Sequence, residues 1–333
     1  MQQCRELGFA LAVRATLRLS EKQYDDAWQD ILVCHRLGRL LTRSATLIET
    51  LVGFAICQMA SNATLAYLDR ADLSSEQALK RWKDLQALPP LKPMGNQIHI
   101  GERMMALDTF QMVHRGGPTG LNFTFEPNRN PTAEERKALD KLDWTAAMQS
   151  TNKWCDRLSA AVQIKDRLAR EKEFDKFEEE LKAVRQTVGL TGEFSLAHFF
   201  KLVSMKGADK VIGKTTGDLV AVLLLPNIRT TQQAHDRVVQ LERNLTVAFA
   251  LAAYWADHNR YPAKLADLTP GYLTAVPDDL FTGNALIYKP QEKGYLFYSV
   301  GPNGKDDGGQ FAEDDPPGDD LGVRMPLPPL KKK

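Results

Sequence analysis

Residues 294–321 read GYLFYSVGPNGKDDGGQFAEDDPPGDDL. An apolar, aromatic strand, Tyr295-Leu296-Phe297-Tyr298-Ser299-Val300, runs into the turn Gly301-Pro302-Asn303-Gly304. A long loop follows with Asp306, Asp307, Glu313, Asp314, Asp315, Asp319 and Asp320 and almost no compensating base. So many carboxylates repel one another unless the loop is fully solvated or a cation sits among them. Hard divalent ions suit such oxygen-rich loops, and calcium tolerates irregular geometry better than magnesium does. The spacing is not that of an EF-hand, because the D-x-[DN]-x-[DN]-G pattern is missing.

The residues upstream give the loop a context. From Pro226 to Pro262 the chain reads PNIRTTQQAHDRVVQLERNLTVAFALAAYWADHNRYP, which predicts a helix starting at Pro226-Asn227. Then come a Leu-x-x-Leu turn at Leu265–Leu268, Gly271-Tyr272-Leu273, Val276-Pro277-Asp278-Asp279 and an aromatic hairpin. This ordered set resembles the globular domain of the major pseudopilin of bacterial type II secretion, over roughly the last third of the chain. The resemblance implies a long helix packed on a small antiparallel sheet, with a structural calcium ion in the final loop. The ligands it implies are the carbonyls of Val300 and Lys305 and the side chains of Asn303, Asp319 and Asp320. Asn303 stands where the family usually has aspartate, and an amide oxygen also ligates calcium. The stretch from Gly304 to Asp319 is longer than in the family, which allows Asp306 or Asp307 to join or replace those ligands.

Before this module the sequence reads as helical. Residues 3–19 and 22–42 form two helical patterns, the second with Tyr24, Trp28, Ile31, Cys34 or His35, Gly38 and Leu41 on one face. Arg36, Arg39 and Arg43 make a basic stripe on the other side, expected to be solvated. Residues 44–69 are apolar around most of the helix, as the centre of a bundle would be, with Glu49 to be neutralised by His35, Arg36 or Arg39. Ser74-Ser75-Glu76-Gln77 offers a capping box for a fourth helix that stops before Pro89-Pro90. GERMMALDTFQMVH, from Gly101, predicts a further helix with Met104, Leu107, Phe110, Met112 and Val113 apolar. Trp144, Met148, Trp154, Leu158 and Val162 share a face, and the charged run after Arg170 reads as a solvent-exposed helix. The expected class is therefore α+β, predominantly α. Its expected parts are an all-helical domain over 1–207 (hairpins in 1–90, further helices in 98–188), the pseudopilin-like module over 208–323, and a flexible Pro/Lys tail over 324–333.

Composition bounds the function. The 333 residues carry 43 basic and 42 acidic side chains, a net charge of +1, which argues against a dedicated nucleic-acid binder. Mean hydropathy is -0.34, ordinary for a globular chain, and no segment is expected to cross a membrane. Cys4, Cys34, Cys57 and Cys155 form no metal-like spacing, and buried thiols are expected, with a Cys34–Cys57 bridge as the alternative. His99, Glu102, Asp108 and His114 are the one other group that could be a metal or acid–base site. No nucleophile–base pair, phosphate loop or zinc motif is present.

The leading expectation is a non-enzymatic structural or binding protein of the cell envelope, acting on a protein partner that the sequence does not name. One alternative is a metal-dependent enzyme with His258 or His114 as acid–base. Another is a helical protein-binding scaffold with an inert C-terminal module. The apolar run Leu219–Leu225 stands where a pseudopilin carries its membrane-inserted half-helix. At seven residues it is too short for a fibre core, so the chain is not expected to form fibres alone. Met1 opens inside an amphipathic helix without a signal-peptide layout. The reading frame is therefore expected to extend upstream into an anchor or signal segment, and the chain to be cytoplasmic if it does not.

Overall fold

The computed structural model describes residues 1–116, 132–187 and 209–328. These are predominantly helical with one three-stranded antiparallel sheet, the expected α+β class. Two compact units divide the chain. The first holds Met1–Ser44, Ile48–Lys92 and Gln233–Lys333, and the second holds Ala45–Leu47 and Pro93–Gln232. The division differs from one at 207/208, because the hairpins of residues 1–90 cluster with the C-terminal module.

In the first unit, α1 (Gln2–Ser20) and α2 (Tyr24–Leu41) form an antiparallel hairpin. Leu11, Ala15 and Leu19 recur every four residues on α1; Ala15 and Leu19 pack with Trp28, Ile31 and Leu32 of α2, and Leu11 packs with Cys34. The buried Asp30 takes charged hydrogen bonds from Arg14 (2.6 and 2.9 Å) and Arg18 (2.7 Å), which fixes the hairpin register. Helix α3 (Leu47–Arg70) is long and apolar enough to cross a membrane by length and composition alone, contrary to the sequence expectation. Half of that apolar stretch is buried, through Phe54, Ile56, Cys57 and Ala60 among others, as in the core helix of a bundle. Helix α4 (Ser75–Gln86) starts with the expected capping box: Ser74 Oγ accepts from Gln77 N–H, and Gln77 accepts from Ser74 N–H. All four cysteines are free.

Two further polar side chains on α2 lie inside this unit. Arg39 is not part of a solvated stripe. It is 8% exposed and bonds Glu242 at 2.7 Å and the carbonyls of Leu88 and Pro89. The carboxylate it pairs with is thus on the last helix. His35 lies 3.0 Å from Thr64 Oγ1, whose own hydrogen goes to Ala60 O. The imidazole must then donate from Nε2. Burial, with a smaller push from the Arg39 charge, lowers its pKa from 6.5 to about 3. A depressed histidine pKa gives stability that is present above the unfolded value and lost as pH falls below it. Unfolding free energy should drop by about 2 kcal/mol between pH 7 and pH 5 from this group alone. Urea denaturation of His35→Gln should show a correspondingly flatter acid limb; parallel limbs for the two proteins would refute this.

The last helix, α9 (Asp209–His258; α5–α8 belong to the second unit), does not start at Pro226; that proline lies inside it. Proline removes one helical hydrogen bond and crowds the carbonyl four residues back. Burial of Leu219, Val222, Leu225 and Ile228 offsets this by holding the flanking turns. In the first unit, Leu245 and Phe249 of α9 face Trp28 and Tyr67, while Val247, Ala248 and Leu251 face the sheet. The sheet has β1 (Ile287–Gln291), β2 (Gly294–Ser299) and β3 (Leu321–Met325), with β2 central. Phe297 pairs with Val323 and Tyr295 with Met325, and these four residues pack on α9. Arg324 and Met325 are therefore strand residues and not tail, and Leu327 N–H bonds Asp69 at 3.0 Å. Residues 329–333 lie outside the described residues.

The second unit holds a six-residue π-helix (Gln97–Glu102), α5 (Arg103–Gly116), α6 (Ala133–Asp140), α7 (Trp144–Ala161), α8 (Arg167–Thr187) and the first half of α9. Gly213 and Gly217 let α9 touch α7 directly: a Cβ there would lie 2.4 Å from Asp143 O and 2.3 Å from Ala147 O. Beside them the buried Asp218 accepts from Ser150 Oγ (2.5 Å), Trp154 Nε1 (3.0 Å) and Lys214 Nζ (2.6 Å). Helix α8 is not simply exposed, because Phe174, Phe177 and Leu181 are buried while Glu171, Asp175 and Glu178 all bind Arg229. On α5 only part of the expected apolar face is covered: Phe110 is buried, but Met104 and Met112 are exposed.

Candidate metal centre

The acidic loop starts from two fixed ends. At one, the buried Asp279 accepts from Ser299 Oγ (2.7 Å), Val300 N–H (3.1 Å) and Phe281 N–H (2.7 Å), tying the end of β2 to the turn before β1. At the other, Asn244 of α9 donates to Leu321 O at 3.0 Å, and Gln240 bonds both Asn244 and Leu280 N–H. These are buried polar groups with complete partners, which makes the frame rigid. Gly301 has φ +70°, and a Cβ there would lie 2.0 Å from Asp319 O, so the returning strand crosses directly over the turn.

Within that frame Asp307, Asp319 and Asp320 converge, each offering an oxygen within 4.8 Å of the others. Among the described residues no other three His, Cys, Asp or Glu side chains meet in this way. Asp320 is 1% exposed and accepts from Gly309 N–H (2.7 Å) and Asp307 N–H (3.4 Å). Burial raises its pKa despite these bonds, and the Asp307 and Asp306 charges add to the rise. Asp319 accepts from Asn303 N–H through Oδ2 at 3.0 Å, while its Oδ1 is buried without a hydrogen-bond partner. A buried carboxylate oxygen left unbonded among other carboxylates is costly unless a cation meets it.

Three of the expected ligand residues, Asn303, Asp319 and Asp320, lie at this centre or bonded to it. Asn303 Oδ1 already accepts from Lys305 N–H at 2.5 Å, and an amide oxygen keeps a second lone pair. Val300 gives its N–H to Asp279, beside the turn. Of the two added candidates Asp307 joins. Asp306 instead turns to the sheet, where its Oδ1 accepts from Tyr298 OH (3.0 Å) and Gly308 N–H (2.8 Å).

The histidines considered as acid–base groups have other surroundings. His258 lies 3.2 Å from Tyr272 OH and rests against Tyr254, and His114 packs edge-on to Trp144. His99 contacts Arg103, and Glu102 caps Leu47 N–H, so His99, Glu102, Asp108 and His114 do not form one centre.

No family model, curated protein or solved structure matches this chain.

Two groups beside the centre were missed in the sequence: Asp279, and Arg324, which donates to the carbonyl of Gly309, whose N–H bonds Asp320. Asp279 was legible only as part of a Val-Pro-Asp-Asp segment. Arg324 was assigned to the tail, although Leu321, Val323 and Met325 alternate with the period of a strand.

Proposed function

We propose that this chain is a non-enzymatic structural or binding protein of the cell envelope, with a pseudopilin-like C-terminal module stabilised by calcium. The observation that carries this reading is the meeting of Asp307, Asp319 and Asp320 with a buried, unbonded Asp319 oxygen. Calcium takes about 6–8 oxygen ligands. Asp307, Asp319, Asp320, Asn303 and the carbonyls of Val300 and Lys305 are the residues that would hold it. The ion would neutralise a self-repelling loop and so give the end of the module a defined surface. The long helix, the sheet order and the loop between β2 and β3 are in keeping with the pseudopilin resemblance. A site with an amide in place of one carboxylate belongs to the weaker class, with dissociation constants of about 10⁻⁴–10⁻³ M. Such a site fills outside the cytoplasmic membrane, which is the basis for the envelope assignment.

The test is a melt of the full chain with calcium and with chelator. At 100 times its dissociation constant a ligand adds about 2.7 kcal/mol to the native state. The melting temperature should therefore rise with calcium, and Asp319→Ala combined with Asp320→Ala should abolish the rise. Identical wild-type melts in calcium and in chelator would overturn the proposal.

A further inference from the structure

The part of the acidic loop that exceeds the pseudopilin pattern has its own internal cation. Arg324 of β3 forks onto Asp314, with Nη1 3.3 Å from Oδ1 and Nη2 3.0 Å from Oδ2, and Nη2 also donates to Gly309 O at 3.0 Å. Its guanidinium lies 4.8 Å from the centre of the Phe311 ring. Phe311 N–H donates to Asp314 Oδ2 at 2.9 Å, and Gly318 N–H donates to Phe311 O at 3.1 Å. Residues 309–318 thus close into a lobe around one side chain. A planar five-donor fork stacked on an aromatic ring can do this, and a lysine cannot.

The two ends of the lobe are the two sides of the carboxylate centre. Gly309 receives Arg324 on its carbonyl and gives its N–H to Asp320 Oδ2. Beyond Gly318, Asp319 N–H donates to Asp307 Oδ2 at 3.0 Å. One residue therefore separates the guanidinium from a candidate ligand. We propose that Arg324 is a positioning residue for the cation site: it folds the added loop so that Asp307, Asp319 and Asp320 converge before a cation arrives. The proposal rests on the calcium reading above. When only a fraction of the unliganded loop is competent, the apparent affinity falls by that fraction.

The sign of the effect separates positioning from simple electrostatics. A positive charge near the centre repels a cation, so through-space interaction alone predicts tighter binding when Arg324 loses its charge, and unchanged binding in Arg324→Lys. Positioning predicts weaker binding in both. Isothermal titration of the full chain with calcium chloride, well below each melting temperature, decides between them. Arg324→Gln and Arg324→Lys should each bind calcium at least about tenfold more weakly than wild type, the usual effect of losing a residue that orients a metal ligand. Wild type that binds while both variants bind as tightly or more tightly overturns the positioning role and leaves the calcium reading standing. The same holds if the variants only melt earlier in chelator, with an unchanged dissociation constant. Wild type that binds no calcium removes the site itself, and the positioning role with it.

Discussion

Trp28→Ala should destabilise the first unit by about 3–5 kcal/mol, the range for truncating a large buried aromatic side chain. Trp28 is fully buried, its ring centre 5.1 Å from that of Tyr67 and 5.9 Å from that of Phe249. It therefore joins α2 and α3 to the last helix at one point. Its indole Nε1 donates to Asp84 Oδ2 at 2.9 Å, so truncation also removes a bond to a charged acceptor. Trp28→Phe isolates that second part: most of the packing survives, and the loss should be about 1.5–3 kcal/mol, as for a hydrogen bond to a charged group. Chemical denaturation followed by hydrogen exchange in α2 and α9 reads the first unit specifically, which matters in a chain with two units. A loss below about 1 kcal/mol for Trp28→Ala would be that of a surface site and would overturn the anchoring role.

What was legible follows the range of the interaction concerned. The capping box at Ser74 rests on contacts within a few residues, and the helices of the α1–α2 hairpin and the order of helix, turn, hairpin and loop rest on periodicity and turn residues, all of which local pattern reports. Pro226 was misread because its local preference for a helix start gave way to packing of Leu225 and Ile228, which local pattern does not contain. Arg39 looked like a solvated stripe residue because its acceptor, Glu242, lies 203 positions away. The acidic loop was legible as a centre of carboxylates. Which aspartates meet was not, since that depends on Tyr298 drawing Asp306 aside and on Arg324 folding the lobe. The missed groups Asp279, Arg324 and Arg39 are polar side chains with partners outside their own helix, strand or turn, 20, 10 and 203 positions away.

Arg39→Met should be as damaging as the tryptophan truncation. Removing one partner of a buried ion pair costs about 3–5 kcal/mol, because the other charge stays behind without compensation. Here the loss also strips a donor from the carbonyls of Leu88 and Pro89, where the chain leaves α4. Glu242 is half-buried, and burial already raises its carboxyl pKa although Arg39 pulls it down. Without Arg39 that pull is gone and the pKa rises further. A carboxyl whose folded pKa exceeds its unfolded value contributes stability that is present at low pH and lost as pH rises through the folded value. The Arg39→Met deficit should therefore be largest near neutrality and shrink toward pH 5. His35 acts in the same direction, since its pKa is held down partly by the Arg39 charge. Adding Glu242→Leu to Arg39→Met should recover much of the loss at neutral pH, because two apolar side chains leave no charge to desolvate. Urea denaturation of the single and double variants at both pH values supplies the comparison. A deficit that is equal at the two pH values and unrelieved in the double variant would mean that Arg39 acts through the packing of its aliphatic stem and its bonds to the α4 carbonyls. The ion pair with Glu242 would then contribute nothing to holding the last helix in place.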